Sequence, residues 1–162
     1  MTVARLPSRT RRPLQADVVA FDRHGRAVLL VEARPDGGCN GAMTAPRQLA
    51  LRLRAAEPTI PFGMSADLAE MRIFGWDGRA LSHLSTLRTE PILSAYDPEF
   101  GRKRIFKEYF ITLIEGWLRD VAYGWKSERP PELDALESIH LAERLKGGTT
   151  SPGVMIGGTP VP

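Results

Sequence analysis

Asp17 and Glu32 are the residues of this 162-residue chain whose types and spacing suit them to act together. They belong to two short apolar runs, Asp17-Val-Val-Ala-Phe21 and Ala27-Val-Leu-Leu-Val-Glu-Ala-Arg34, separated by Asp22-Arg-His-Gly25. Such runs around a turn signal predict two antiparallel strands. A turn symmetric about His24 and Gly25 sets Asp17 across from Glu32, Val19 across from Leu30 and Phe21 across from Val28. Facing residues hold their Cβ atoms about 4.5–5.5 Å apart, and two carboxylates there repel unless they share a cation or one binds a proton. Mg²⁺ (or Mn²⁺) suits that pair, because it keeps several waters and takes one or two carboxylates plus substrate phosphates. Arg34, two residues beyond Glu32, points to the same face, where a guanidinium can hold a phosphate oxygen or orient the carboxylates. The chemistry implied is metal-assisted hydrolysis of a phosphodiester. A plainer arrangement stays open: Asp17 as a solvent-facing strand start, and Glu32 paired with Arg34 or Arg26. A one-residue slip in the turn would put the carboxylates on opposite faces.

The elements that must position these residues follow from the pattern on either side. Both strands are apolar on both faces, which predicts a sheet covered on each side. Pro35-Asp36-Gly37-Gly38 stops the second strand. Residues 45–56 then predict a helix with a basic face, ending before Pro58. Ile60 to Met64 and Glu70 to Trp76 predict further strands, the second closed by an Asp77-Gly78 turn. Asp97-Pro98 signals a helix start, and Phe106, Tyr109, Phe110, Leu113, Ile114, Trp117, Leu118 and Val121 recur at helical spacing up to about Trp125. A last helix is expected over 132–146, stopped by Gly147-Gly148. Together these predict one α/β domain over 15–146: a mixed sheet flanked by helices, with a helical C-terminal extension, a basic flexible arm (1–14) before it and a flexible tail (147–162) after it.

At the hairpin the sequence resembles a known family. Ala16-Asp17, fourteen intervening residues and Glu32-Ala33-Arg34 resemble the signature of the PD-(D/E)XK nucleases, which have the restriction-endonuclease-like fold. The phrase ADVVAFDRHGRAVLLVEAR is similar to the hairpin of small relatives of the type I restriction subunit N-terminal kind. IPFGMSADLAEMRIFGWDG and the later YDPEF fit a bacterial domain of this type. The resemblance implies that Asp17 and Glu32 bind Mg²⁺, that a residue at position 34 assists the attacking water, and that Gln48 lends support from the following helix. It covers about residues 14–146, and only the hairpin motif carries catalytic information. The chain departs from the family in three places. Ala16 replaces proline, Arg34 replaces lysine, and no Asp or Glu precedes Asp17, where the family has a helix with an acidic residue. Arginine keeps the charge but does not readily release a proton.

Charge suggests the partner. The net charge of +3 conceals ten arginines against four carboxylates in residues 1–54 and an acidic remainder. Arg5, Arg9, Arg11 and Arg12 form either a solubilising tail or an arm that contacts phosphates by charge alone. Arg102, Lys103, Arg104 and Lys107 are the other candidate phosphate contacts, and equally a solvated face. The expected partner is nucleic acid, DNA in particular, with no membrane, since no apolar run approaches the roughly 20 residues of a span. A homodimer through the helix from Pro98 to Trp125 is a further expectation. The single Cys39 forms no internal disulfide and lacks a zinc-site companion, and the N-terminus has no secretory pattern, so a cytoplasmic protein is expected.

Other signals are assigned no chemistry. His24, His83 and His140 lack ligand-like partners. Gly37 to Gly41 lacks the Lys-Ser/Thr of a phosphate-binding loop, and Gly63-Met64-Ser65 lacks the second glycine of a nucleophile elbow. Phe106, Tyr109, Phe110, Trp117 and Trp125 suit base stacking, but at helical spacing they are read as core or a helix–helix seam. Glu108 and Glu115 lie on or beside that stripe. Two functions are carried forward: a Mg²⁺-dependent DNA nuclease, and a catalytically degenerate module on the same scaffold that binds nucleic acid or protein.

Overall fold

The computed structural model describes residues 14–36 and 44–156. Arg5, Arg9, Arg11, Arg12, Cys39 and the Gly37–Gly41 segment lie outside the described residues. The architecture is α/β. Strands β1 (Leu14–Phe21), β2 (Ala27–Ala33), β3 (Phe62–Ala66), β4 (Glu70–Trp76), β5 (Leu81–Arg88) and β6 (Thr149–Ile156) form one sheet in the order β5-β4-β3-β2-β1-β6. Among the described strands only β2 and β3 run parallel. A parallel pair needs a crossover, and helix α1 (Thr44–Ala55) supplies it.

The hairpin turns as its residues dictate. Gly25 takes a left-handed φ of 77°, and the Asp22 Oδ1 atom accepts N–H bonds from His24 (2.8 Å) and Arg26 (2.9 Å). The register pairs Val18 with Val31 and Val19 with Leu30, as the symmetric turn predicts; it shifts by one at the turn, so Phe21 faces Ala27 rather than Val28.

Both faces of the sheet are covered, which is why β1 and β2 are apolar throughout. On one face Val19, Leu30, Phe74 and Trp76 pack against Leu49 and Leu53 of α1. Gly63 permits this approach: a Cβ there would lie 2.9 Å from Leu53 Cδ1 and 3.0 Å from Leu49 Cδ2. On the other face Val18, Leu29, Val31, Met64 and Ile73 meet α2 (Thr89–Leu93), α3 (Lys107–Tyr123), α4 (Leu133–Ser138) and α5 (Leu141–Leu145). Among the described residues no helix is long and apolar enough to cross a membrane.

Several expectations need correction. Asp97-Pro98 does not start the long helix: the Asp97 Oδ1 atom accepts the Glu99 N–H (3.0 Å), a short 3-10 turn follows over Phe100–Arg102, and Lys103 is extended. Helix α3 therefore begins only at Lys107 and ends at the left-handed Gly124. The expected helix over 132–146 is broken into α4 and α5 by His140, which has a positive φ of 64°. The tail expected to be loose contains β6, which pairs with β1 from Thr149 opposite Phe21 to Ile156 opposite Leu14. Gly148 allows it to dock, since a Cβ there would fall 1.7 Å from the Phe21 carbonyl oxygen.

The aromatic stripe divides. Phe110 and Trp117 are fully buried, whereas Phe106, Tyr109 and Trp125 are exposed. The apolar stripe of α3, read from the sequence as core or a helix–helix seam, packs on the chain's own sheet.

Candidate functional site

The β1/β2 hairpin carries Asp17 and Glu32 to the same end of the sheet, beyond the last paired residues Val18 and Val31. Here the strands part, and a side chain takes over from the backbone ladder. The Asp17 Oδ2 atom accepts the Ala33 N–H at 2.8 Å, while Arg34 donates its N–H to the Ala66 carbonyl on β3 at 2.8 Å. The other oxygen, Asp17 Oδ1, lies 3.1 Å from Lys107 Nζ at the start of α3. Asp17 thus joins three elements: β1, β2 and α3.

Glu32 is 3% exposed. Its Oε1 pairs with the guanidinium of Arg52, a residue of α1 that sequence reasoning missed. Arg52 in turn donates from Nε to the Gln15 carbonyl (3.1 Å) and from Nη1 to the Gln48 carbonyl (3.5 Å). The signal was present in the sequence. Gln48 and Arg52 are four apart on a helix and so share a face, and a basic helix face crossing a buried glutamate attracts it. Gln48 enters the site through its backbone carbonyl, which accepts from Arg52.

The Glu32 Oε2 atom is buried and has no hydrogen-bond partner among the described residues. Burial raises the Glu32 carboxyl above its ordinary value; Arg52, Arg34 and Lys107 pull it back, and the Asp17 charge pushes it up again. Asp17, Arg34 and Lys107 all lie close enough to act on Glu32.

A cleft of about 710 Å³ is lined by Arg34, Lys103, Arg104, Ile105, Phe106 and Lys107 among others; Asp17 and Glu32 are not in its lining, and Lys107 links it to Asp17. The fold thus brings Arg34 together with three of the four cations singled out near residue 104. Arg102 is exposed on the 3-10 turn and does not line the cleft.

Lys103 is tied back: its Nζ lies 2.7 Å from Asp97 Oδ2, to which the Tyr109 hydroxyl also donates at 2.5 Å. Those two partners hold the Asp97 carboxyl down at about 2. The clamp fixes the segment leading into α3, and with it the cleft wall.

The three histidines stand elsewhere: His24 in the hairpin turn, His83 on β5 against Phe74, and His140 between α4 and α5 beside Glu143. Glu115 has a structural role: its Oε2 accepts from Thr150 Oγ1 at 2.7 Å, which ties α3 to β6.

No family model, curated protein or solved structure matches the chain. The site must therefore be judged on its own chemistry.

Among the described residues no group of three or more His, Cys, Asp or Glu gathers as a ready-made metal cage. Two carboxylates are present, one with a buried oxygen lacking a partner, and that donor set fits a hard divalent cation that keeps most of its waters. A dedicated all-protein site for calcium or zinc would need more ligands than these.

Proposed function

We propose that the protein is a PD-(D/E)XK-like nuclease of restriction-endonuclease-like fold that hydrolyses DNA phosphodiesters with Mg²⁺ or Mn²⁺. The observation that carries this reading is the Glu32 Oε2 atom, buried without a hydrogen-bond partner among the described residues, two residues before the Arg34 that lines a cationic cleft. Leaving a carboxylate oxygen buried without a partner costs free energy that a bound cation would offset. Asp17 and Glu32 would hold the ion. When bound, it supplies a water of lowered pKa and offsets charge on the phosphate in the transition state.

The chain's own residues do the rest. Arg34 and Arg104 hold phosphate oxygens from the cleft. Lys107 brings an amine to within 3.1 Å of Asp17, supplying from α3 the residue type that position 34 lacks. Arg52 holds Glu32 in place when the ion is absent.

A second reading is favoured by one observation: each carboxylate already has a cationic partner, Lys107 for Asp17 and Arg52 for Glu32. On that reading the scaffold is a degenerate module that binds nucleic acid without cutting it.

A cleavage assay on linear and circular DNA in Mg²⁺ and Mn²⁺, with Asp17→Ala and Glu32→Gln as controls, separates the two. Cleavage lost in both variants supports the nuclease. DNA binding without cleavage, unchanged in both variants, rejects it in favour of the module.

A further inference from the structure

Phe106 stands out in the cleft wall. It is a large apolar side chain, 62% exposed, immediately before the first residue of α3. The Arg104 guanidinium sits over its ring at 5.3 Å from the centroid. The next residue is Lys107, whose Nζ reaches Asp17. An exposed ring in a cationic cleft, next to the lysine that reaches Asp17, is what an unpaired nucleotide needs. Its base has a free π-face to stack, and its phosphate meets Arg34, Arg104 and Lys107. Inside a duplex that π-face is covered by neighbouring base pairs, so the ring has nothing to stack on.

From this we infer that Phe106 is a base-stacking platform, and that the cleft takes single-stranded nucleic acid, or the unpaired end of a duplex, rather than intact double helix. The inference deepens the nuclease reading and rests on it for what is cut; binding itself depends only on Phe106 and the cations.

The test measures binding first, without divalent metal. Fluorescence anisotropy compares labelled oligo-dT, oligo-rU and a blunt duplex of equal length, using the full chain, Phe106→Ala and Phe106→Trp. Stacking on an aromatic side chain typically accounts for about five- to a hundredfold in affinity per base. Phe106→Ala should therefore weaken oligo-dT binding by about tenfold or more and change duplex binding less than twofold. Phe106→Trp should restore binding and add an indole emission that oligo-dT quenches. The rU arm reports whether the platform accepts ribose.

Equal affinity of the full chain for duplex and oligo-dT overturns the inference. So does a Phe106→Ala variant that binds oligo-dT as well as the parent, or one that loses duplex binding equally, as a wedge inserted into a double helix would. The nuclease reading fails separately: if no DNA is cut in Mg²⁺ or Mn²⁺ while Phe106-dependent oligo-dT binding persists, the platform stands and the catalysis does not. If duplex is cut and Phe106→Ala leaves its rate unchanged, the nuclease stands and the platform does not.

Discussion

The Arg52–Glu32 pair is the interaction most exposed to a quantitative test. Substituting Arg52→Met removes the guanidinium while keeping a long apolar stem, and it leaves the Glu32 carboxylate buried with neither oxygen paired. Two unit charges about 4 Å apart attract by about 4 kcal/mol at an effective dielectric of 20. The Arg52 side chain keeps 23% of its surface in solvent while Glu32 keeps 4%, so part of that attraction is screened and part is offset by desolvation. A net loss of about 2 kcal/mol follows, or a fall in thermal midpoint of about 4–8 °C for a domain of this size. The loss should depend on pH in one direction. Burial already raises the Glu32 carboxyl above its ordinary value of 4.5, and removing Arg52 raises it further. A protonated Glu32 needs no counter-charge, so the destabilisation is full above the folded pKa and shrinks as pH falls through it. Mg²⁺ should restore more stability to Arg52→Met than to the parent, because a divalent ion replaces the lost charge without competing against it. Thermal melts of the parent, Arg52→Met, Glu32→Gln and the double variant, across pH and with and without Mg²⁺, form the required cycle. A pH-independent loss refutes the account of the pair, as does an equal loss for Arg52→Met in the Glu32→Gln background. Absence of a Mg²⁺ effect refutes the metal reading of Glu32 Oε2.

Three further outcomes are expected. Acid should release the clamp before α3: Asp97 titrates well below its ordinary value of 3.8, so the stability it confers is complete above that value and is lost as pH falls through about 2. Protection of the amides over residues 97–109, taken relative to their intrinsic exchange rates, should then fall between about pH 4 and pH 2, and Asp97→Asn should lack that protection at neutral pH. Gly63→Ala places a methyl 2.9 Å from Leu53 Cδ1 in a filled core, at a cost of about 1–3 kcal/mol read as a lower urea midpoint. Gly148→Ala meets backbone rather than a side-chain tip, the Phe21 carbonyl at 1.7 Å, so β6 should detach and the β1 amides lose protection; unchanged exchange in β1 would contradict this docking.

The sequence revealed most where its signals were local. The hairpin register, α1 and β4 could all be read, because apolar runs, a Gly25 turn and a parallel crossover leave few alternatives. Strand β5 was not readable: Ser82, His83, Ser85 and Thr86 make it polar, and as an edge strand it buries only Leu87 fully. Strand β6 was hidden by Pro152 and Gly153, which read as breakers but sit on an outer strand, where the N–H that Pro152 lacks matters least. At the site, Asp17, Glu32 and Arg34 were found from strand periodicity. Their partners Arg52 and Lys107 lie on two helices, 20 and 90 residues away from them in sequence. Periodicity showed that α3 has a buried stripe; it could not show that Phe106, just outside the first turn, escapes it.

One feature of the sheet bears on when this protein becomes competent. Strand β1, which presents Asp17, is held between its immediate successor and a ribbon made more than 120 residues later. Lys107 and the β6 ribbon both belong to the second half of the chain. A nascent polypeptide that has emerged only through β5 thus has both acids and Arg52, but not α3 with its Lys107 ammonium, nor β6. On the proposed nuclease reading, competence waits for the segments that carry Lys107 and β6.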